Sequence, residues 1–236
     1  MQDWWPDEQS YAGPEHLDAD YVEGYERKAG FDPADDIAAL VALGLDERST
    51  VIDLAAGPGV FATAVAGRCG RVIAVDVSPA MISVLRARVE RLGLDNVEVV
   101  EGGFLSHAAE PGSADFVFTR NALHQLPDFW KSMALRRLHT SLKPGGILRL
   151  SDLVFDFEPR EAEARVSAWF AGAVTDPTLG FTAAELATHL RSEFSTFTWL
   201  LEPMLERTGF EIIEHTHRRS AYATYTCRRL DGPTDE

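Results

Sequence analysis

The residues best suited to chemistry lie in one run, Val51-Ile-Asp-Leu-Ala-Ala-Gly-Pro-Gly-Val-Phe-Ala62. Apolar residues up to Leu54 form a short, buried type of strand. Gly57 and Gly59 then make a bend, and a helix follows from about Val60 to Gly67. Glycines at such a bend let the backbone pass close to a ligand, and the helix N-terminus adds a partial positive charge. One strand later, the run Val72–Val75 ends at Asp76, placed to accept hydrogen bonds from both hydroxyls of a ribose. Strand, glycine bend, helix, strand and terminal acid in that order imply an adenosine-containing cofactor. A second reactive stretch is Thr119-Arg-Asn-Ala-Leu-His-Gln-Leu-Pro127, in which His124 is the candidate base or substrate-orienting group.

These residues need elements to hold them, and the patterning supplies them. Asp18–Ala29 reads as a helix closed by Gly30, and Asp32-Pro33 opens another that ends at Gly44. Ser78-Pro79 starts a helix whose Met81, Val84, Leu85, Val89 and Leu92 recur at helical spacing before Gly93. Val97–Val100, Phe116–Phe118 and Ile147–Leu150 supply further strands, with a helix over about 128–141 between the last two. Such alternation predicts a parallel sheet with helices on both faces. Residues 158–196 break the pattern with two helical stretches, the second opened by a capping box from Thr182 to Glu185. A helix over about 199–207 then precedes two strand-like runs, Phe210–Thr216 and Ala221–Cys227, too close together for a crossover and so paired antiparallel. The fold class expected is α/β: a three-layer, Rossmann-like sheet of seven strands, six parallel and the last antiparallel. Its expected divisions are a helical lid over 1–44, the main domain over 45–228 with a cap insertion at 158–196, and a disordered tail over 229–236.

Composition narrows the partners. The formal net charge of −15 disfavours a phosphate backbone, so no nucleic acid is expected. No apolar run approaches the ~18 residues of a membrane span. The acidic start MQDWWPDEQ has no signal-peptide pattern, and two cysteines without ligand spacing fit a reducing cytoplasm. Lysine occurs only at 28, 131 and 143, and that arginine and alanine bias points to a GC-rich bacterial genome. A small-molecule substrate and a monomer or homodimer are the expected partners, and no metal site is evident from ligand spacing.

Two cofactors fit the bend. Gly57-x-Gly59-x-x-Ala62 also matches the dinucleotide fingerprint, which keeps an NAD-dependent oxidoreductase as a rival. A binding protein without turnover is a third reading. Against NAD, Asp53 lies four residues before Gly57, where it suits a cationic methionine amine better than a pyrophosphate. The chain is also too short after five strands for a second mononucleotide half plus a substrate domain.

Val51-Ile-Asp53-Leu-Ala55-Ala-Gly57-Pro-Gly59 resembles the first motif of the class I methyltransferases that use S-adenosylmethionine, with Ala55 at the usual first glycine. Val75-Asp76-Val77-Ser78-Pro79-Ala80-Met81 resembles the second, in which the acid holds the ribose and Val77 and Met81 flank adenine. Glu101-Gly102-Gly103-Phe104 resembles the third region, where an Asp often receives the adenine amino group; here Gly103 occupies that place, leaving Phe104 and backbone groups. Ala114–Phe118 and Leu142-Lys143-Pro144-Gly145-Gly146 resemble the fourth motif and the turn before the fifth strand. The resemblance runs over about 45–152 and 199–228 and implies methyl transfer to a small molecule at an O, N or C atom. Residues 119–127 are also similar to phosphoethanolamine-type methyltransferases, in which an Asp at the place of Asn121 is the base and a His latches an N-terminal Tyr. Asn121 cannot take a proton, so it is expected at the methionine end. His124 would latch Tyr11, Tyr21 or Tyr25. With Trp169 of the cap, these tyrosines are the expected lid and substrate residues.

Overall fold

The computed structural model describes residues 4–231, so the tail expected beyond the last strand lies outside the described residues except for its first positions. Eight strands occur in chain order: β1 (Thr50–Leu54), β2 (Arg71–Asp76), β3 (Val97–Glu101), β4 (Ala114–Arg120), β5 (Leu142–Phe155), β6 (Thr196–Phe197), β7 (Phe210–Arg218) and β8 (Tyr222–Arg229). The main path is β3-β2-β1-β4-β5-β8-β7, and β6 adds two residues beside the end of β5. Strands β1 to β5 pair parallel, β8 runs antiparallel to β5, and β7 antiparallel to β8. Six strands of the main path thus share one direction and β8 opposes them, as the patterning predicts. The strand β6 is an addition: two residues carry no readable period, and they pair only because β5 runs on to Phe155.

Alternation in β1 sorts its side chains. Ile52 and Leu54 join Ile73 and Val75 in one core with α5 (Asp128–Ser141) and α8 (Thr198–Arg207), through Leu135, Leu138, Leu201 and Leu205. Val51, Val72 and Ala74 face a second core with α2 (Ala34–Ala42), α3 (Val60–Val65) and α4 (Pro79–Leu92), through Leu40, Phe61, Val65 and Leu85. These two cores on opposite faces make the three layers. Arg149 of β5 donates to Asp36 at 2.8 Å and ties α2 to the sheet.

The 158–196 insertion holds α6 (Ala162–Phe170) and α7 (Ala183–Arg191), the latter opened by the Thr182–Glu185 capping box. It has its own small core of Leu153, Phe155, Trp169, Leu186 and Ala221. Before the sheet, α1 (Ala19–Ala29) packs beside α4. Ahead of α1, residues 4–17 run as a strap of short 3-10 turns.

The strand order reverses between β1 and β4, and ligands of open α/β sheets bind at the carboxyl ends beside such a reversal. The backbone there is bent hard. Ala55 has φ +61°, Gly57 φ +54° and Gly59 φ +83°. At Gly59 an added Cβ would lie 2.1 Å from Leu85 Cδ1, and Leu85 is fully buried. Gly59 therefore admits close packing of α3 on α4.

Ala55 holds a left-handed conformation that costs an L-residue about 1–2 kcal/mol, partly offset by the entropy a glycine would lose on folding. Ala55→Gly is expected to raise unfolding free energy by roughly 0.5–1 kcal/mol. Gly59→Ala is expected to lower it by about 2 kcal/mol or more. Urea denaturation of both variants checks the pair, and equal effects would contradict the assignment.

Candidate active site

Asp53, near the carboxyl end of β1, is 2 % exposed, and its Oδ2 has no hydrogen-bond partner among the described residues. Burial, and then the charge of Asp76, push its carboxyl up to about 8 against the help of the Ala62 N–H. Asp76 is buried at the end of β2. It accepts from Gly57 N and Ser78 N, both at 2.8 Å, one on each oxygen. Each of its oxygens keeps a lone pair for a further donor. Burial raises its pKa too, and those backbone N–H groups oppose the rise.

A pocket opens over these acids. Its walls include Tyr11, Ala55, Gly57, Asp76, Val77, Met81, Gly103, Phe104 and Asn121. A neighbouring pocket joins Asp53 to Ala55, Gly57, Arg120 and Asn121. Gly59 is expected at the cofactor, yet it stands back from both walls, against Leu85. The guanidinium of Arg120 lies over the Phe31 ring at 4.3 Å and lines both pockets. Sequence reading passed over Arg120 because a strand-end arginine beside the TRNA run has no spacing signature. Asn121, just after β4, has φ +49°, a left-handed turn that asparagine tolerates.

The donor set fits S-adenosylmethionine. An unpartnered buried carboxylate oxygen at Asp53 suits an ammonium, Arg120 suits a carboxylate, and Asp76 with its spare lone pairs suits a ribose diol. Val77, Met81 and Phe104 offer an apolar slot for a base.

A third cavity, of about 280 Å³, lies between α1 and the cap. Tyr21, Tyr25, Asn121, His124, Phe181, His189 and Glu193 are among its walls. Tyr25 and Asn121 line all three cavities. His124 is 3 % exposed, and its ring nitrogens face carboxylates and not a tyrosine. Nδ1 meets Asp152 Oδ1 at 2.5 Å, and Nε2 lies 3.3 Å from Glu193 Oε2. The expected tyrosine latch is thus replaced by an acid at each nitrogen. Tyr21 and Tyr25 lie edge-on or nearly so to His16, and Tyr11 to Phe194. Trp169 is also placed differently: it is 3 % exposed inside the cap's own core, where its Nε1 donates to Tyr222 Oη at 3.3 Å.

Glu193 also pairs with His189, so ligating atoms of His124, His189 and Glu193 lie within 4.8 Å of one another. Spacing along the chain does not reveal this group, because His124 comes from β4's loop and the other two from the cap. Burial alone would lower the pKa of His124, but Asp152 and then Glu193 outweigh it and raise it to about 9. The imidazolium contacts hold Glu193 far below the usual carboxylate range against its own burial.

Residues 51–146 match the family described as a methyltransferase domain. A demethylmenaquinone methyltransferase of Oceanobacillus iheyensis is 29 % identical over 100 residues, 41 % of this chain and 41 % of that protein. This chain thus spans about two-fifths of that curated relative. A methyltransferase from Aquifex aeolicus described as SAM-dependent superposes with TM-score 0.63 at 20 % identity, covering 90 % of this chain and 99 % of that one. Phosphoethanolamine N-methyltransferase 2 of Haemonchus contortus, in complex with S-adenosyl-L-methionine, gives 0.72 at 15 % identity over 98 % of this chain and 62 % of that one. Fold and family match agree that residues 51–146 form a methyltransferase domain, set in a Rossmann-like fold shared with solved methyltransferases. A methyltransferase domain fits the S-adenosylmethionine donor set of the site, and the dinucleotide alternative is not favoured. No helix among the described residues is long and apolar enough to cross a membrane.

Because the folded pKa of His124 stands above the ordinary 6.5, its contribution to stability is complete below that pH and is lost as pH rises through about 9. Unfolding free energy, measured in urea from pH 6 to 10, is expected to fall more steeply for the native chain than for His124→Gln. Parallel curves would show that the ring is neutral in the folded protein.

Proposed function

We propose that the chain transfers a methyl group from S-adenosylmethionine to a small-molecule acceptor bound between α1 and the cap, with His124 handling the acceptor's proton. The observation that carries this reading is the junction at Tyr25 and Asn121. These two residues line the nucleoside pocket, the Asp53 pocket and the cap cavity at once. A cofactor held by Asp76 at one end and by Asp53 and Arg120 at the other would span the first two cavities and turn its middle toward the third.

When bound, the cofactor supplies an activated methyl group on a sulfonium, so the protein's work is alignment and exclusion of water. The cap and the N-terminal strap exclude water. Asn121, held in its turn by its own N–H on Ser151 O at 2.8 Å, fixes the junction. His124 has the partners of an acid–base group: Asp152 orients the ring through Nδ1, and Nε2 faces the cavity side with Gln125 and Glu193. With its pKa near 9 the ring carries a proton at neutral pH, so it acts there as an acid or orienting donor and becomes a base as pH rises. Tyrosines and Glu185 on the cavity wall favour a polar acceptor of modest size over a long lipid.

Calorimetric titration separates the two grips on the cofactor. Asp76→Ala is expected to weaken both S-adenosylhomocysteine and 5′-methylthioadenosine by about 1.5–3 kcal/mol. Asp53→Asn and Arg120→Met are expected to weaken S-adenosylhomocysteine alone, because methylthioadenosine has no amino-acid end. A loss shared equally by both ligands would put Asp53 and Arg120 away from the methionine. Turnover against a panel of small amines, phenols and acids then tests the acceptor class, with kcat rising toward pH 9 in the native chain and depressed in His124→Gln.

A further inference from the structure

Glu8 is an acid that neither the motifs nor the mechanism uses, yet it is 7 % exposed and lines the nucleoside pocket with Asp76, Val77, Met81 and Phe104. It sits in the middle of the strap over residues 4–17. The strap is pinned on one side by Trp4 and Trp5 on Trp130 of α5, with ring centroids at 5.8 and 5.2 Å. On the other side Ser78 Oγ donates to His16 O at 2.6 Å. Between these anchors Asp7 caps a short turn that points Glu8 inward. Glu8 Oε2 accepts from Leu105 N at 3.0 Å, Ser106 N at 2.9 Å and Ser106 Oγ at 2.8 Å. No hydrogen bond among the described residues reaches Oε1.

The carboxylate occupies the space that Gly103 leaves open. A Cβ at 103 would lie 2.5 Å from Glu8 Cδ and 2.5 Å from Oε1, so any side chain there would displace the acid. Gly103 and Glu8 are therefore complementary: the strand side gives up its side chain and the strap delivers one. Three donors on Oε2 fix the carboxylate's orientation, and Glu8 lines the pocket, so Oε1 is the oxygen left to accept from a ligand there.

We propose that Glu8 is the base-reading residue of the cofactor site: its Oε1 accepts a hydrogen bond from the exocyclic amine of a 6-aminopurine seated between Val77, Met81 and Phe104. The strap thereby becomes part of the binding site, and holding the nucleoside holds the strap closed. A 6-oxopurine would set a carbonyl lone pair against the carboxylate and be rejected. This inference rests on the nucleoside reading of the pocket and adds the residue that selects its base.

Calorimetric binding of S-adenosylhomocysteine and of its hypoxanthine counterpart, S-inosylhomocysteine, tests it without turnover. The native chain is expected to prefer the adenine form by roughly tenfold or more, the worth of one hydrogen bond to a charged group. Glu8→Gln keeps the shape and can donate to a 6-oxo group, so the preference is expected to vanish or invert. Gly103→Ala leaves Glu8 in the chain but pushes it from its seat, and is expected to lose the same discrimination while retaining binding through Asp76. Native-like preference in both variants would overturn the proposal. Native chain that binds neither ligand would instead refute the nucleoside reading itself, and this proposal with it.

Discussion

The site is organised around a carboxylate that the protein itself does not satisfy. Asp53 is 2 % exposed, has one oxygen without a partner, and stands close enough to Asp76 for each charge to disfavour the other. An ionised acid in such a place is expensive unless a cation arrives. The sheet tolerates it only at the carboxyl end of a strand beside the order reversal, where the crevice admits a ligand. A cationic amine in that crevice would lower the pKa of Asp53 and be held by it. The same electrostatics disfavour a pyrophosphate, whose charge would face two acids.

The second acid cluster obeys the opposite rule. Asp152 and Glu193 bracket His124 so closely that the ring's charge is favoured in spite of burial. Three separate segments meet there: the loop after β4 brings His124, β5 brings Asp152, and the end of the cap brings Glu193. The cap is locked onto this point by backbone as well, since Phe194 N donates to His124 O at 2.9 Å and Lys131 of α5 donates to Phe194 O at 2.5 Å. Displacing the cap would therefore strip one acid from the imidazole. Cap position and the proton affinity of His124 are coupled by geometry.

Much of the fold was legible because it is local. Glycine bends, a Ser78-Pro79 helix start, the Thr182–Glu185 box and period-2 apolar runs all act within a few residues of where they are written. The two buried acids Asp53 and Asp76 were legible as a pair for the same reason, each being tied to a strand end. What escaped was whatever depends on distance through space. Glu193 and His189 lie some 65–70 positions from His124, and Glu8 lies 95 from Gly103. No period or spacing along the chain connects such pairs. Trp169 looked like a lid residue because aromatic content cannot tell the inside of a cap from its inner wall. The decisive information is the pairing of β5 and β8 with the cap core. The strand β6 is invisible at two residues and exists only because β5 overruns its parallel neighbour.

Strain in the backbone follows the same map. Ala55 and Asn121 are non-glycine residues in the left-handed region, and they stand at the ends of β1 and β4, the two strands that flank the reversal. Each turns the chain sharply so that its side chain borders the pockets and does not continue the pleat. Elsewhere such residues occur among the described positions only at Arg219 and Ser220, the tight turn between β7 and β8, where a hairpin demands the conformation. In the hairpin, topology explains the strain. At Ala55 and Asn121 topology alone would accept glycine, and Asn121 in addition carries a side chain to the junction of three cavities. Strain held at both sides of one crevice is what a preformed ligand cradle needs, since a relaxed loop would have to be ordered anew each time the ligand bound.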